Sequence, residues 1–276
     1  MKPDPAAIAR QVEQALSEDL GDGDASAGLI AEGRHARARL ITRQPGVLAG
    51  RDWAEAVFRH LDASIELSWN AADAEPVEAG QTLLEADGPA RALLGGERTA
   101  LNFLQLLSGV ATRTRQYVDA VAGTGARILD TRKTLPGLRL AQKYAVTAGG
   151  GHNHRLGLHD MIMIKENHIA SAGGISVAVE AARRLRPDLS VEVEAETLDQ
   201  LDEALAAGAD RIMLDNFSLE DLASGVKRTR GRAILEASGG IDLTTVRAIA
   251  ETGIDDISVG ELTKTITPLD LSLRFQ

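Results

Sequence analysis

The chain reads as an α/β protein whose larger part is an array of parallel strands joined by helices. Two observations predict this. From about residue 126 onward, short β-rich runs at 127–129, 161–164, 191–193, 211–214, 233–235 and 256–259 alternate with amphipathic helical stretches such as 198–206 and 243–252. That alternation implies parallel strands linked by right-handed crossovers. The polar residues that end the later runs are also evenly spaced: 21 residues from Glu194 to Asp215, 23 to Ser238 and 22 to Gly260. Each lies just past the carboxyl end of a predicted strand, the face on which βα barrels carry their sites.

The first hundred residues have a different character. Ile8, Val12, Leu16 and Leu20 recur every four positions and predict a helix over 6–20. A Gly/Asp/Ser loop follows over 21–28. Alternating segments at 36–42 and 64–69 predict strands, and helical stretches near 52–61 and 97–107 sit among them. This part reads as an α+β domain, and the pattern changes around Ser108-Gly109. The end, 269–275, alternates apolar and polar residues like one more strand.

Composition narrows the function classes. The 276 residues contain no cysteine, which excludes disulfides, thiolate metal sites and a cysteine nucleophile. No leader-like segment and no run approaching the roughly 20 apolar residues of a bilayer span is expected. The net charge of −10 argues against broad nucleic-acid binding. The charge is uneven, however. The segment 132–168 holds six Lys/Arg against two acids, a local +4 that leaves −14 for the rest, and four of the six histidines lie there. A positive site in an acidic protein suits capture of a small anion.

Five constellations carry the chemistry. In Asp130-Thr-Arg-Lys-Thr134, Arg132 can grip a carboxylate through two parallel hydrogen bonds and Lys133 offers a mobile charge for phosphate. In Gly149-Gly-Gly-His-Asn-His-Arg155, glycines permit close backbone approach while His154 and Arg155 add donors. A zinc site from His152, His154 and His159 is the rival reading there, disfavoured by the adjacent arginine. Met161-Ile-Met-Ile-Lys-Glu-Asn-His168 is an apolar strand ending on Lys165. Glu194 and Asp215 form a carboxylate pair on adjacent strand ends, able to hold Mg²⁺ or ribose hydroxyls. A glycosidase also uses two carboxylates, but the cationic wall disfavours a neutral sugar. Finally, Ser238-Gly239-Gly240 and Ser258-Val-Gly260 can cradle a phosphate with backbone amides.

Together with Glu97-Arg-Thr-Ala-Leu-Asn102, these segments resemble the quinolinate phosphoribosyltransferases, and the resemblance runs through most of the chain. It implies an N-terminal α/β sandwich and a C-terminal open α/β barrel of about seven strands, the type II phosphoribosyltransferase arrangement. The expected division is 1–108, 109–266, and a strand at 267–276 returning to the first domain. It implies a cytoplasmic homodimer that transfers a phosphoribosyl group from phosphoribosyl pyrophosphate to the ring nitrogen of quinolinate, with decarboxylation, in NAD biosynthesis. By matching positions, Arg98 would reach a partner's site, where Arg132, His154, Arg155 and Lys165 hold quinolinate. Lys133, Glu194 and Asp215 would serve the catalytic step, the two carboxylates holding Mg²⁺. Ser238, Gly239, Gly240 and Gly260 would hold the 5′-phosphate.

The chain departs from the family pattern after Gly260. Glu261 stands where a small residue is usual and Lys264 where histidine is common; a glutamate there would repel a bound phosphate unless it points away, and Lys264 could still contact phosphate. Competing readings are a relative on the same scaffold acting on another pyridine acid, a non-catalytic sensor of an anionic metabolite, and a histidine-based metal hydrolase.

Overall fold

The computed structural model describes residues 3–276. In chain order the helices are α1 (Pro5–Leu20), α2 (Arg51–Leu61), α3 (Ala90–Ala120), α4 (Arg139–Ala148), α5 (Glu166–Ala172), α6 (Ile175–Leu185), α7 (Leu198–Ala206), α8 (Leu219–Thr229), α9 (Val246–Ala250) and α10 (Glu261–Lys264). The strands are β1 (His35–Thr42), β2 (Gly46–Val47), β3 (Glu66–Trp69), β4 (Pro76–Val77), β5 (Thr82–Pro89), β6 (Arg127–Leu129), β7 (Ile162–Ile164), β8 (Val191–Ala195), β9 (Arg211–Asp215), β10 (Ile234–Ser238), β11 (Asp256–Ser258) and β12 (Leu271–Phe275). The chain divides into two compact units. The first takes in the chain up to Arg115, then Thr134–Gly150 and Thr265–Gln276; the second takes in Gln116–Lys133 and Gly151–Lys264.

In the first unit an antiparallel sheet of order β12-β1-β5-β3 packs with helices. The predicted first helix forms as α1. The Asp4 carboxylate caps the Ala6 N–H, Pro5 fits the first helical position, and Ile8, Val12 and Leu16 are buried. Trp53 of α2 is wholly buried and donates its indole N–H to Gln11 of α1 at 2.8 Å. Core side chains such as Trp53, Phe58, Leu83 and Leu104 contribute roughly 1.5–3 kcal/mol each by burial. The predicted terminal strand is β12, and it pairs antiparallel with β1 from Ala38↔Phe275 to Thr42↔Leu271.

The helix expected at 97–107 is three times longer, 31 residues as α3. Gly95-Gly96 looks like a breaker, since each interior glycine costs about 1 kcal/mol against alanine. At Gly96 a Cβ would stand 3.0–3.2 Å from Leu61 and Phe58, so the glycine lets α2 pack closely on α3. Ser108-Gly109, where the sequence pattern changes, lies inside this helix. Ser108 Oγ bonds the Ala49 backbone in both directions, at 3.0 and 3.2 Å. A Cβ on Gly109 would come within 2.3 Å of the Thr267 carbonyl oxygen. The dipeptide is thus a packing point for the returning C-terminal segment.

The second unit is a parallel sheet of order β6-β11-β10-β9-β8-β7. His152 adds a seventh position through a single parallel bridge to Leu129 of β6. Among the described residues no ladder joins His152 to β7, so the array stays open there. All six predicted runs appear as strands, and α7 occupies the predicted 198–206. The helix expected at 243–252 contracts to α9, because the Asp242 carboxylate takes the Thr244 and Thr245 N–H groups and holds those residues in a turn. Among the described residues, no helix is long and apolar enough to cross a membrane.

Gly109→Ala is expected to destabilise the protein by about 1–3 kcal/mol, since the Thr267 backbone has to shift. Gly28→Ala is the control, because a Cβ there meets nothing within 4 Å. Urea unfolding compares the two, and equal stability would remove the packing role assigned to Gly109.

Candidate active site

Strand geometry sorts the second unit's side chains. Along β8, Glu192 and Glu194 share one face, and Val191 and Val193 the other. The same alternation places Arg211, Met213 and Asp215 together on β9, and Glu236 and Ser238 on β10. At the carboxyl ends this gives Lys165, Glu194, Asp215 and Ser238 in succession across β7, β8, β9 and β10. Lys165 Nζ contacts Glu194 Oε2. Asp215 Oδ2 accepts from Asn216 Nδ2 at 2.8 Å. Among the described residues, the second oxygen of each carboxylate has no protein partner.

Beyond β9 and β10 lies the glycine turn. Gly239 and Gly240 both have positive φ, 97° and 59°. A Cβ on Gly239 would meet Asn216 Oδ1 at 2.1 Å, whereas space is open at Gly240. Asn216 itself has φ 57°, and its N–H donates to Ser238 O at 2.9 Å. It ties the acidic strand end to the glycine turn. Sequence reasoning assigned Asn216 no role, although Asn is one of the few non-glycine residues suited to a left-handed backbone.

Lys133 is exposed and crosses Gly260, where a Cβ would stand 3.1 Å from its Cδ. Its N–H donates to Thr131 Oγ1 at 3.1 Å, and its carbonyl accepts from Thr263 Oγ1 at 2.9 Å. Glu261 is turned to Tyr117, whose buried hydroxyl donates to Oε2 at 2.8 Å. Its carboxylate is thus held by Tyr117. Lys264 is exposed at the end of α10.

Asp130 is a second residue whose role the sequence hid. It is fully buried, and its carboxylate accepts from the His154 N–H at 2.9 Å and from Asn153 Nδ2 at 2.7 Å. This clamps residues 153–155 to the end of β6. Arg155 then extends along the open side of the array, with Nη1 3.5 Å from Met161 O and Nη2 3.4 Å from Met163 Sδ. Burial and the nearby Arg132 charge lower the Arg155 pKa, while Glu192, Asp160 and Glu194 work the other way. Among the described residues the Arg155 guanidinium forms no ion pair with a carboxylate, so its donors can take an anionic group.

His154 is placed differently from that expectation. Its side chain is 6% exposed, with Nε2 3.0 Å from Glu192 Oε2 and 3.2 Å from Glu236 Oε2, contacts off the line of an ideal hydrogen bond. Nδ1 accepts the Arg155 N–H at 2.8 Å. Below it, Arg211 bridges Glu236 at 2.8 Å and Asp256 at 2.7 Å, and Arg127 grips Asp256 through two bonds of 2.7 and 2.9 Å. Ser258 Oγ donates to Glu236 Oε1. Glu192, Glu236 and Asp256 are all fully buried.

Three carboxylates against two guanidinium groups leave one negative charge, which a single extra proton cancels. Burial opposes charge on His154, but the hydrogen bonds and charge of Glu192 and Glu236 outweigh it and push its pKa up to about 9. The Arg155 N–H competes for the ring's second proton position. Burial meanwhile pushes Glu192 up, so it can take that proton instead. Either way Nε2–H faces the carboxylates and the proton belongs to the cluster. These three residues are also the only His/Asp/Glu grouping, among the described residues, close enough to hold a metal. Arg211 already occupies the cation position beside both carboxylates, and His152 and His159 do not join the group.

The cationic segment 132–168 is divided between the two units. Arg132, Lys133, Arg155 and Lys165 belong to the second unit, whereas Arg139 and Lys143 lie on α4 in the first. Arg139 bonds Thr134 Oγ1 at 3.1 Å, and Lys143 is 1% exposed. Arg98 is exposed on α3 of the first unit, where its charge acts on the neighbouring Glu97.

Because the His154 pKa is raised on folding, its contribution is fully present below the ordinary histidine value of 6.5 and is lost as pH rises through about 9. Thermal midpoints measured across that window are expected to fall, and to fall less in Glu236→Gln, which removes one buried charge. Identical slopes in the two proteins would contradict the shared proton.

The comparisons with known proteins agree with this geometry. Residues 24–108 match the family model for the N-terminal domain of quinolinate phosphoribosyl transferase, and residues 110–274 match its C-terminal domain. A probable nicotinate-nucleotide pyrophosphorylase [carboxylating] of Bacillus subtilis is 43% identical over 93% of this chain and 89% of its own. The Mycobacterium leprae nicotinate-nucleotide pyrophosphorylase [carboxylating] is 42% identical over 95% of both. The solved structure of the Francisella tularensis nicotinate-nucleotide pyrophosphorylase superposes with a TM-score of 0.97 at 49% identity, covering 100% of this chain and 98% of that one. The chain belongs to the quinolinate phosphoribosyltransferase family.

Proposed function

We propose that this protein transfers the phosphoribosyl group of phosphoribosyl pyrophosphate to the ring nitrogen of quinolinate, with loss of CO₂, giving nicotinate mononucleotide and pyrophosphate for NAD biosynthesis. Membership of the family carries the reaction class. The observation that supports the assignment of parts is the division of the strand ends, with Arg132 and Arg155 opposing each other's charge on one side and Glu194 and Asp215 following Lys165 on the other.

In this reading Arg132, Arg155 and Lys165 hold the two carboxylates of quinolinate, and Arg98 comes from the partner of a homodimer. The exposure of Arg98 supports that placement. The Ser238-Gly239-Gly240 turn and Gly260 hold the 5′-phosphate through backbone N–H groups. Lys133, lying across Gly260, is within reach of the pyrophosphate. The open carboxylate oxygens of Glu194 and Asp215 suit Mg²⁺, a hard cation that takes oxygen ligands and retains water. The bound ion would neutralise charge on the leaving pyrophosphate.

The pyridine nitrogen's lone pair forms the new bond to the anomeric carbon while the bond to pyrophosphate breaks. Positive charge develops on the ribose, where Glu194 and Asp215 stabilise it. The ring nitrogen is then cationic and accepts the electron pair released as the 2-carboxylate leaves as CO₂. A proton replaces it on carbon. A multiply charged phosphorylated substrate does not cross membranes unaided, which supports a cytoplasmic location.

Incubation with quinolinate, phosphoribosyl pyrophosphate and Mg²⁺ is expected to release CO₂ and nicotinate mononucleotide, with nicotinate in place of quinolinate inactive. Folded protein without product would overturn the reading, and turnover of nicotinate would favour a relative with another substrate. Arg132→Ala is expected to lower kcat/KM for quinolinate by on the order of 100-fold, the worth of a lost charge-assisted contact. A rate close to that of the unaltered protein would show that Arg132 does not hold the substrate.

Mixing Arg98→Ala subunits with Glu194→Gln subunits tests the dimer. Partial recovery of activity is expected, because one site of each mixed pair would then be intact. No recovery, with subunit exchange verified, would place Arg98 outside its partner's site.

A further inference from the structure

We propose that Asn216 is a positioning residue: its side-chain amide fixes the distance between the Asp215 carboxylate and the Ser238-Gly239-Gly240 turn, the span that a ribose carrying a 5′-phosphate has to bridge. The inference rests on the reading of those two groups as the ribose and 5′-phosphate contacts of phosphoribosyl pyrophosphate. It deepens that reading by giving the selectivity for a phosphorylated sugar to a residue that touches neither end of it.

Three observations carry it. Asp215 and Ser238 are register partners on the last rung of the β9–β10 ladder, so the two groups start one strand spacing apart, about 4.8 Å. Both strands end at that rung, and the Asn216 N–H adds one further bond across it, to Ser238 O at 2.9 Å. The left-handed backbone of Asn216, φ 57°, then lets its side chain serve both strand ends at once. Nδ2 donates to Asp215 Oδ2 at 2.8 Å. Oδ1 and Cγ fill the space beside Gly239, where a Cβ would stand 2.1 and 2.6 Å from them. A left-handed turn explains the backbone alone, since glycine adopts it more easily than asparagine. It does not explain an amide whose nitrogen holds the acid and whose oxygen packs against the glycine turn.

The planar amide is a rigid spacer. It takes one oxygen of Asp215 and so sets the direction of the other, which stays open to a ribose hydroxyl or to Mg²⁺. The glycine turn rests on the opposite edge of the same amide. A ligand that touches only one of these groups gains little from the spacer. One that bridges them needs both in place together, and a small misplacement of either weakens its binding. The hydrogen bonds of Asn216 go to Asp215 and Ser238, so its loss is felt on the sugar-phosphate side of the site and not on the aromatic side.

Two variants and two probes test it. Asn216→Gly keeps the left-handed backbone and its N–H and removes the amide. It is expected to raise KM for phosphoribosyl pyrophosphate about tenfold, to change KM for quinolinate less than about twofold, and to leave the urea midpoint unmoved. Asn216→Asp keeps the shape but exchanges the donor for a second carboxylate beside Asp215, and is expected to raise the same KM further. Simple space filling demands the reverse order, with Asp closer than Gly to the unaltered protein, and that order overturns the proposal. So does an equal rise in both KM values, or none. Should Asn216→Gly not fold, the split between the two KM values in Asn216→Asp decides. Calorimetry then compares ribose 5-phosphate, which bridges the two groups, with inorganic phosphate, which reaches the turn alone. Asn216→Gly is expected to lose about tenfold in affinity for the first and less than about twofold for the second. Parallel losses would mean that the turn itself is disturbed, and overturn the spacing role. Absence of turnover by the unaltered protein would count against the functional reading and leave calorimetry to decide the role of Asn216. Failure of the unaltered protein to bind ribose 5-phosphate as well would overturn both.

Discussion

The buried ionic group inside the strand array constrains the rest of the second unit. A parallel sheet of this kind usually fills its interior with branched apolar side chains. Here β8, β9, β10 and β11 send Glu192, Arg211, Glu236 and Asp256 to the inside, where the three acids are fully shielded from water. Removing one partner from such a group leaves an uncompensated buried charge, at a cost of about 3–5 kcal/mol. The strands are therefore held in one register by charge pairing as well as by their backbone ladders. The pairing balances only if one further proton is kept, and His154 sits where that proton is shared.

This arrangement explains how an acidic protein can support a site for anions. The acids closest to the chemistry each have a defined partner. Glu194 contacts Lys165, Asp215 takes the Asn216 amide, and Glu261 takes the Tyr117 hydroxyl. The cations are less committed. Lys133 lies along Gly260 through its aliphatic stem, and Arg155 has only weak acceptors. Local electrostatics is decided by which charges are already paired, and the net charge of −10 says little about it.

Glycines in the second unit mark where backbone and ligand, or backbone and side chain, must come close. Gly239 has to accommodate Asn216, and Gly260 has to accommodate Lys133. Both needs arise between segments far apart in the chain, so neither can be inferred from a local pattern. Asn216 and Asp130 are similar: polar residues beside the motifs whose task is to hold neighbouring residues. Local reading found the strand ends they sit on but assigned the chemistry to their neighbours, such as Arg132, Arg155 and Asp215.

By itself the sequence determined the alternation of strands and helices, the even spacing of polar strand ends and the concentration of cations between 132 and 168. These follow from periodicity and local charge, which neighbouring residues carry. Its matched motifs also led to the correct family. The tertiary structure decided which charges act together. It assigned Arg139 and Lys143 to a different unit from the strand-end cations, turned Glu261 to Tyr117, and carried α3 through Gly95-Gly96 to 31 residues. It also directed His154 to two buried carboxylates that sequence reasoning passed over. The clue to those carboxylates was present, since Glu192 and Glu236 stand at alternate positions of strands otherwise rich in Val, Leu and Ala. Their meaning depends on which strands are neighbours, because a buried charge is stabilised only by groups brought to it across the sheet.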